Sequence, residues 1–387
     1  MGEKIVLVTA GGHIASFHAA MKKMHEVLTS TGSDFELIGA EGGLSGLVNG
    51  DFLPIDPDHL EEDRAGSLIG ADRKIVDVGQ IAQSVSNNNI YAVVMMGGDN
   101  HLGEAQKCYE AGINIVGFPK TMDGDLSSNV TLGYDSAVFV GAESTRLHHN
   151  SAITNRRVFY VGLFGRNTDW TVCATTAYGG GDRGIPAEKE YEWGQIWDLI
   201  DISVKENKER YGVEFAVVPY SEGAKISGVN PPPGDHVSYD AHMLPKLQPE
   251  WIGMELVRLT KNEGTGAAFE AHTYSMRDFP PTKTDIKLAR MAGEECINMI
   301  LDNDFGNSAV FEPKDDFYTT GRAPLNKVAQ QRNLAPTGFF DYDTLRPNDS
   351  FAEAYNRLFV PSLGSIPHKD DLVYKPMREF RQFSGHT

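Results

Sequence analysis

Lys120-Thr121-Met122-Asp123-Gly124-Asp125 is the segment best equipped for chemistry. Two carboxylates at i, i+2 in a glycine-broken loop can divide roles, one as general base and the other ordering a metal ion or that base. Lys120 adjoins them as a point charge suited to phosphate. A solvated acidic turn has the same composition, so the segment gains meaning only from its neighbours. Gly97-Gly98-Asp99-Asn100-His101 is one neighbour. Its glycines let the backbone approach a ligand, and a helix starting there aims N–H groups at an anion. Asp99 suits Mg2+, directly or through water, although taken alone the segment reads as a tight turn with an Asp cap. Further along, Arg166 follows Gly165 and suits a transferring phosphoryl group. Glu222 suits a sugar hydroxyl, and Tyr274 and Arg277 add a hydroxyl and a guanidinium.

The elements that must position these residues follow from the hydrophobic pattern. Lys4–Thr9 reads as a buried strand, Gly11-Gly12 as a turn and Ile14–Leu28 as an amphipathic helix. Phe35–Ile38, Tyr91–Met96 and Ile113–Phe118 read as further strands, and His101–Glu110 as a helix. A second set follows: strands Val158–Phe164 and Phe215–Pro219, helices Trp193–Glu206 and Pro249–Lys261, and a stiff Asn230-Pro231-Pro232-Pro233-Gly234 loop. This alternation predicts parallel sheets with helices on both faces, with ligands beyond the carboxyl ends of the strands. The expected fold is α/β: two similar three-layer αβα lobes with mainly parallel sheets and an active-site cleft between them.

Composition removes other classes. The chain has 387 residues with 53 acidic against 35 basic, a net charge of −18. That excludes a general nucleic-acid or anionic-membrane binder, which needs a positive field. Three widely spaced cysteines, Cys108, Cys173 and Cys296, exclude a disulfide scaffold or thiolate zinc site and point to a reducing compartment. No signal-peptide h-region or membrane-length apolar run is visible, so a cytoplasmic location is expected. There is no P-loop, full dinucleotide fingerprint, G-x-S-x-G elbow or H-E-x-x-H.

Taken in order from Lys4 to about Cys296, the loops resemble the phosphofructokinase family, and within it the pyrophosphate-dependent members most. Gly11-Gly12 is similar to the family's first glycine turn, and Gly66–Arg73 (GSLIGADR) to its next donor segment, which implies that Gly11, Gly12 and Arg73 meet the phosphoryl donor. Gly97-Gly98-Asp99 matches GGD, implying Mg2+ on Asp99 and donor contacts from Gly98, Asn100 and His101. Pro119–Asp125 is similar to PKTIDGD, implying Asp123 as base, Asp125 as its partner, Lys120 on phosphate and Thr121 at the substrate. Gly133–Ala137 resembles GFDTA. Phe164-Gly165-Arg166 stands where the family has Met-Gly-Arg, and Ser221-Glu222-Gly223 matches [ST]-E-G. Thr273–Arg277 resembles the T-Y-x-x-R variant of the sugar-phosphate segment, implying Tyr274 and Arg277 on the sugar phosphate. Arg157 falls where the family has an Arg reaching a neighbouring subunit's sugar phosphate. The resemblance also implies a donor-binding lobe of residues 1–137 plus about 278–305, and a sugar-phosphate-binding lobe of 138–277 plus about 306–387.

Departures carry information too. His13, Ser16 and His18 replace an Asp, a Gly and an Asn of the family's first turn, and His101 replaces a Ser or Thr. Histidines so placed offer donors to a polyanion or serve as packing residues. Ala268 stands at the family's second sugar-phosphate cation, which puts the acceptor in question. The donor follows from bulk. In the family, a small Gly after GGD leaves room for ATP, whereas Asp there with Lys after the Pro selects pyrophosphate. Asn100 is nearly isosteric with Asp, and Lys120 supplies the partner. Glu41 and Leu44 stand where ATP-dependent members carry tyrosines near adenine, trading an aromatic platform for bulk.

The expected activity is reversible phosphoryl transfer from Mg-pyrophosphate to the 1-hydroxyl of fructose 6-phosphate or a related sugar, in glycolysis or gluconeogenesis. The protein is then a homodimer or homotetramer, with no nucleic-acid or membrane partner. The alternatives are an ATP-dependent 6-phosphofructokinase and a catalytically silent sugar-phosphate or anion sensor on the same fold. Asp304–Thr387 carries no interpretable motif.

Overall fold

The computed structural model describes residues 3–12, 14–126, 130–229, 247, 249–315, 317–330, 339–348, 351 and 366–373. His13 and the Asn230–Gly234 loop lie outside them. The chain divides into two compact units. One runs from the amino terminus to Ser136 and resumes at Arg277, and the other runs from Ala137 to Met276 and takes in the described residues from 339 onward.

In the first unit the elements are β1 (Lys4–Thr9), α1 (Phe17–Ser30), β2 (Glu36–Ala40), α2 (Leu44–Asn49), β3 (Phe52–Pro54), α3 (Val78–Asn87), β4 (Ile90–Gly97), α4 (Asp99–Glu110) and β5 (Ile115–Pro119). The long helix α5 (Tyr134–Asn155) leads out. The second unit contains β6 (Val158–Leu163), α6 (Trp170–Gly179), β7 (Glu190–Glu192), α7 (Trp193–Tyr211), β8 (Ala216–Ser221), β9 (Lys225–Ser227), α8 (Pro249–Asn262) and β10 (Ala267–Ala271). The short α9 (Ser275–Asp278) returns the chain to the first unit for α10 (Lys283–Leu301), β11 (Asn307–Lys314), β12 (Phe317–Pro324) and α11 (Leu325–Gln330).

The first sheet has the order β12-β11-β5-β4-β1-β2-β3. Its inner pairs β2–β1, β1–β4, β4–β5 and β5–β11 are parallel, and only the outer β2–β3 and β11–β12 pairs are antiparallel. β1 and β5 are apolar on both faces, as a covered parallel sheet requires. From β1 the chain moves to one side through β2 and β3, then crosses to the other side for β4 and β5. The switch therefore falls between β1 and β4, where a doubly wound sheet leaves a crevice at its carboxyl edge. Val6, Val8, Val93, Met95, Leu102 and Ile115 form part of the core beneath it.

β11 and β12 correct one boundary. Residues from about 306 were expected in the sugar-phosphate lobe, but β11 pairs with β5 and extends the first sheet, with Ser308 opposite Gly117. A Cβ on Gly117 would lie 2.9 Å from Ser308 Cβ, so the strand closes onto a backbone with no side chain. Nothing local marks such a long-range pairing.

The second unit is built on the parallel sheet β10-β6-β8. Among the described residues it has fewer strands than the first, so the two sheets are alike in being parallel rather than in extent. β6 and β8 are buried throughout. α7 opens with a reciprocal capping box between Glu192 and Gln195 and ends at Gly212 in the left-handed conformation. No helix among the described residues is long and apolar enough to cross a membrane.

Candidate active site

In the first unit three strand ends place the chemistry. β1 ends in Gly11-Gly12, β4 in Gly98-Asp99-Asn100, and β5 in Lys120–Asp125. Gly11 takes φ +84°, a conformation that side chains disfavour. Its N–H donates to Asp72 O at 2.7 Å, and Gly66 N–H donates to Ile14 O at 3.3 Å, stitching the 66–73 segment to the glycine turn. Thr9 Oγ1 adds a short hydrogen bond to Gly70 O. Beside the turn opens a cavity of about 370 Å3 lined by Gly11, Gly12, Ala65, Gly66, Ser67, Gly70, Ala71 and Asp278. A wall of glycine and small residues leaves room for a ligand to come close to the backbone.

Lys120 crosses this turn. It is buried, its Nζ donates to Gly12 O, and Nζ would lie 3.1 Å from a Cβ on Gly11. A Cβ on Gly12 would lie 2.3 Å from Arg277 Nη1 and 3.1 Å from Arg73 Nη2. Three cationic side chains thus converge on one glycine. Burial first, and then the charges of Arg277 and Arg73, bring the Lys120 ammonium down to about 7 against the opposing pull of Asp123 and Asp99. His101 is buried on α4, with Cε1 3.4 Å from the same notional Gly11 Cβ. Its own Cβ would be 2.5 Å from a Cβ on Gly97, which is why a glycine ends β4.

Asp99 opens α4, and its Oδ1 accepts from Asn100 N–H at 2.8 Å. Asn100 is exposed on the first turn of the helix. Asp123 N–H donates to Thr121 Oγ1 at 3.2 Å, and Asp125 is buried. The first unit therefore carries Gly11, Gly12, Arg73, Gly98, Lys120, Thr121, Asp123 and Asp125 on its loops, Asp99, Asn100 and His101 on the first turn of α4, and Arg277 on α9. Arg277, expected on the sugar phosphate, stands against the glycine turn.

One alternative left open at the first turn is decided, and one expectation from the 38–50 stretch changes. His18 is a packing residue: Nδ1 lies 3.1 Å from Glu61 O, and Nε2 accepts from Leu68 N–H at 3.1 Å. With Nε2 accepting, Nδ1 carries the proton, so the ring is neutral and both nitrogens are engaged. Burial keeps its pKa below the usual imidazole value. Leu44 does not fill a donor pocket, because its side chain is spent in the core with Val8, Ala40 and Leu47. α2 is held by Asp72, which accepts from Leu44 N–H at 3.1 Å and Ser45 N–H at 3.0 Å.

A buried carboxylate that sequence reasoning missed fixes the start of α5. Asp285, on α10, accepts from Gly133 N–H at 3.0 Å, Ser136 N–H at 3.1 Å and Ser136 Oγ at 2.6 Å. Thr282, the N-cap of α10, bonds Asp135 in return. The signal was present as Thr282-x-x-Asp285, a capping-box spacing whose acid serves a second helix.

In the second unit, Gly165 at φ +134° turns the chain after β6, and Ser221 Oγ bonds Gly165 O. Glu222 N–H donates to Leu163 O at 2.8 Å. A Cβ on Gly223 would sit 2.0 Å from Arg166 O, so this glycine is required for the two loops to meet. Phe164 packs edge-on to Tyr274 with ring centroids 6.2 Å apart. Arg166, Glu222 and Tyr274 thus follow the carboxyl ends of the adjacent strands β6, β8 and β10. Arg157 does not join them. It precedes β6 at the opposite end, about 20 Å away at the usual strand rise, with Nη2 on Ser151 Oγ at 2.6 Å.

A lysine buried among arginines at a glycine turn suits a polyphosphate, and the switch point of a doubly wound sheet is where such a sheet takes its ligand. The chain belongs to the phosphofructokinase family, whose model matches residues 4–300. It is 25% identical over 368 residues to the ATP-dependent 6-phosphofructokinase 2 of Clostridium perfringens, covering 87% of this chain and 94% of that protein. It is also 25% identical over 315 residues to the pyrophosphate--fructose 6-phosphate 1-phosphotransferase of Amycolatopsis mediterranei, covering 78% and 89%. The solved pyrophosphate-dependent phosphofructokinase of Marinobacter aquaeolei shares the fold, with a TM-score of 0.77, 16% identity and coverage of 96% and 95%.

Proposed function

We propose that the protein transfers a phosphoryl group from pyrophosphate to the 1-hydroxyl of fructose 6-phosphate or a close relative, reversibly. Asp123 takes the hydroxyl proton, and the sugar oxygen attacks the terminal phosphorus in line, releasing phosphate. Lys120 and Arg73 take up charge on the donor, with Arg277 beside them at the turn; Gly12 and Gly98 supply backbone N–H groups, and Gly11 gives the turn the room for the donor to approach. Asp125 orders Asp123. On the acceptor side the roles fall to Arg166 for phosphoryl charge, Glu222 for sugar hydroxyls and Tyr274 for the sugar phosphate. Arg157, at the far end of its own sheet, acts in a neighbouring subunit, so the protein is at least a homodimer.

The residues at α4 fit Mg2+. Asp99 offers a hard oxygen donor at a strand end, and both Asp99 and Asp123 act on the Lys120 charge, so two carboxylates lie close to the phosphate position. Asp99 would hold the ion together with phosphate oxygens, and the ion would supply charge neutralisation on the leaving phosphate.

The observation that carries the donor choice is the reach of Lys120 across the glycine turn to Gly12 O, with Asn100 on the first turn of α4 beside the same loops. In this reading both side chains would obstruct a nucleotide continuing past the second phosphate. The pyrophosphate-using relative from Amycolatopsis mediterranei agrees with this reading. An ATP donor is the second reading. It is favoured by the core position of Leu44, which leaves no added bulk in the donor pocket, and by the ATP-dependent relative. The test is a steady-state assay with fructose 6-phosphate, Mg2+ and either donor. Turnover with pyrophosphate at least ~10-fold more efficient than with ATP is expected, and the reverse ranking overturns the proposal.

A further inference from the structure

Away from these loops, four side chains of the second unit converge on one point. Ser144 and His148 lie one turn apart on the same face of α5; Glu270 lies on β10, and His272 follows its last residue, with its N–H still donating to Gly162 O at 2.8 Å. His148 Nε2 is 3.0 Å from Glu270 Oε2 and 3.2 Å from His272 Nε2, and His272 Nε2 is 3.6 Å from the same Glu270 oxygen. Ser144 Oγ also meets His272 Nε2.

Hydrogen bonds account for part of this arrangement, His148 to Glu270 and Ser144 to His272, but not for the close approach of the two ring nitrogens. A single imidazole nitrogen either donates once or accepts once, yet three partners face His272 Nε2. A serine–histidine–carboxylate relay is excluded as well, because it needs the serine and the acid on opposite ring nitrogens, and here both face Nε2. The spacing instead suits a metal. Ligands at the usual zinc distances on tetrahedral corners stand about 3.3 Å apart, and the three separations bracket that value. The donor set, two imidazoles and one carboxylate, is one that zinc accepts and that hard Mg2+ does not favour. His148 is held in place by stacking on Phe159, with centroids 4.0 Å apart and planes at 12°. Both histidines are about 15% exposed, whereas Glu270 is 54% exposed, leaving an entry path.

We infer that His148, Glu270 and His272 bind a divalent transition-metal ion of the zinc type, with Ser144 or a water completing the coordination. The ion would tie α5 to β10, just ahead of Thr273 and Tyr274.

The test uses the full-length protein stripped with a chelator and titrated with Co2+ and then Zn2+. One equivalent of Co2+ is expected to give visible bands of tetrahedral intensity, which one equivalent of Zn2+ abolishes, and Zn2+ is expected to raise Tm. His148→Ala and His272→Ala should each weaken Zn2+ binding by more than the ~10–100-fold that outer-shell changes cost. Glu270→Gln, at an exposed position, should fold normally, shift the Co2+ spectrum and bind more weakly. Binding that is unchanged in all three variants, or the absence of a stoichiometric site in the wild-type protein, overturns the inference.

Discussion

Lys120 Nζ donates to the carbonyl oxygen of Gly12, joining the end of one parallel strand to the turn after another across 108 residues of chain. The bond places an ammonium where it pays the cost of burial and lies near Arg73 and Arg277, so its pKa falls to about 7. A bound polyanion opposes both effects, because its charge favours the ammonium.

Proton uptake should therefore accompany donor binding. Below about pH 7 the ammonium is already charged, and above it a proton must be taken up. The affinity for pyrophosphate is expected to fall as pH rises through 7, by up to about tenfold per pH unit between the free and bound pKa values. Calorimetry in buffers of different ionisation heat measures the uptake directly. Lys120→Met should bind more weakly and lose this component, leaving only pyrophosphate's own ionisation. His18→Gln should retain it, since that ring is committed to Glu61 and Leu68.

Asp123→Ser removes the proposed base from a loop that is only partly buried. A drop in kcat of about 10²–10⁴ with little change in Tm is expected. A variant turning over at the wild-type rate would reassign the base.

Asn100→Gly tests the crowding argument at an exposed helix position, where glycine costs roughly 1 kcal/mol of helix stability. The kcat/KM for ATP should rise by ~10-fold or more while that for pyrophosphate falls. An unchanged donor ranking would mean that Lys120, or neither side chain, sets the choice.

Asp285→Ala should leave Gly133 N–H and Ser136 N–H without their acceptor in a buried place. Each such group costs about 1–3 kcal/mol, so a Tm loss of several degrees is expected by thermal denaturation. Asp285→Asn keeps one acceptor and should fall between the two. A Tm unchanged in the alanine variant would show that water replaces the carboxylate.

The glycine turns, the paired acids and the strand–loop–helix alternation were legible in the sequence because each depends on local chemistry. A glycine after an apolar run marks a turn wherever it occurs, and Gly11, Gly97, Gly165 and Gly223 all prove to be required by φ or by contact. Parallel strands buried on both faces show as continuous apolar runs, so β1, β4, β6 and β8 were found to within a few residues. The tertiary structure alone decided that β11 and β12 complete the first sheet, that Leu44 belongs to the core and that His18 is occupied by backbone. It also brought Arg277 to Gly12, and His148 to Glu270 and His272, more than a hundred positions away. These are relations between segments far apart in the chain, and no local pattern of residue types records which distant backbone or side chain will arrive.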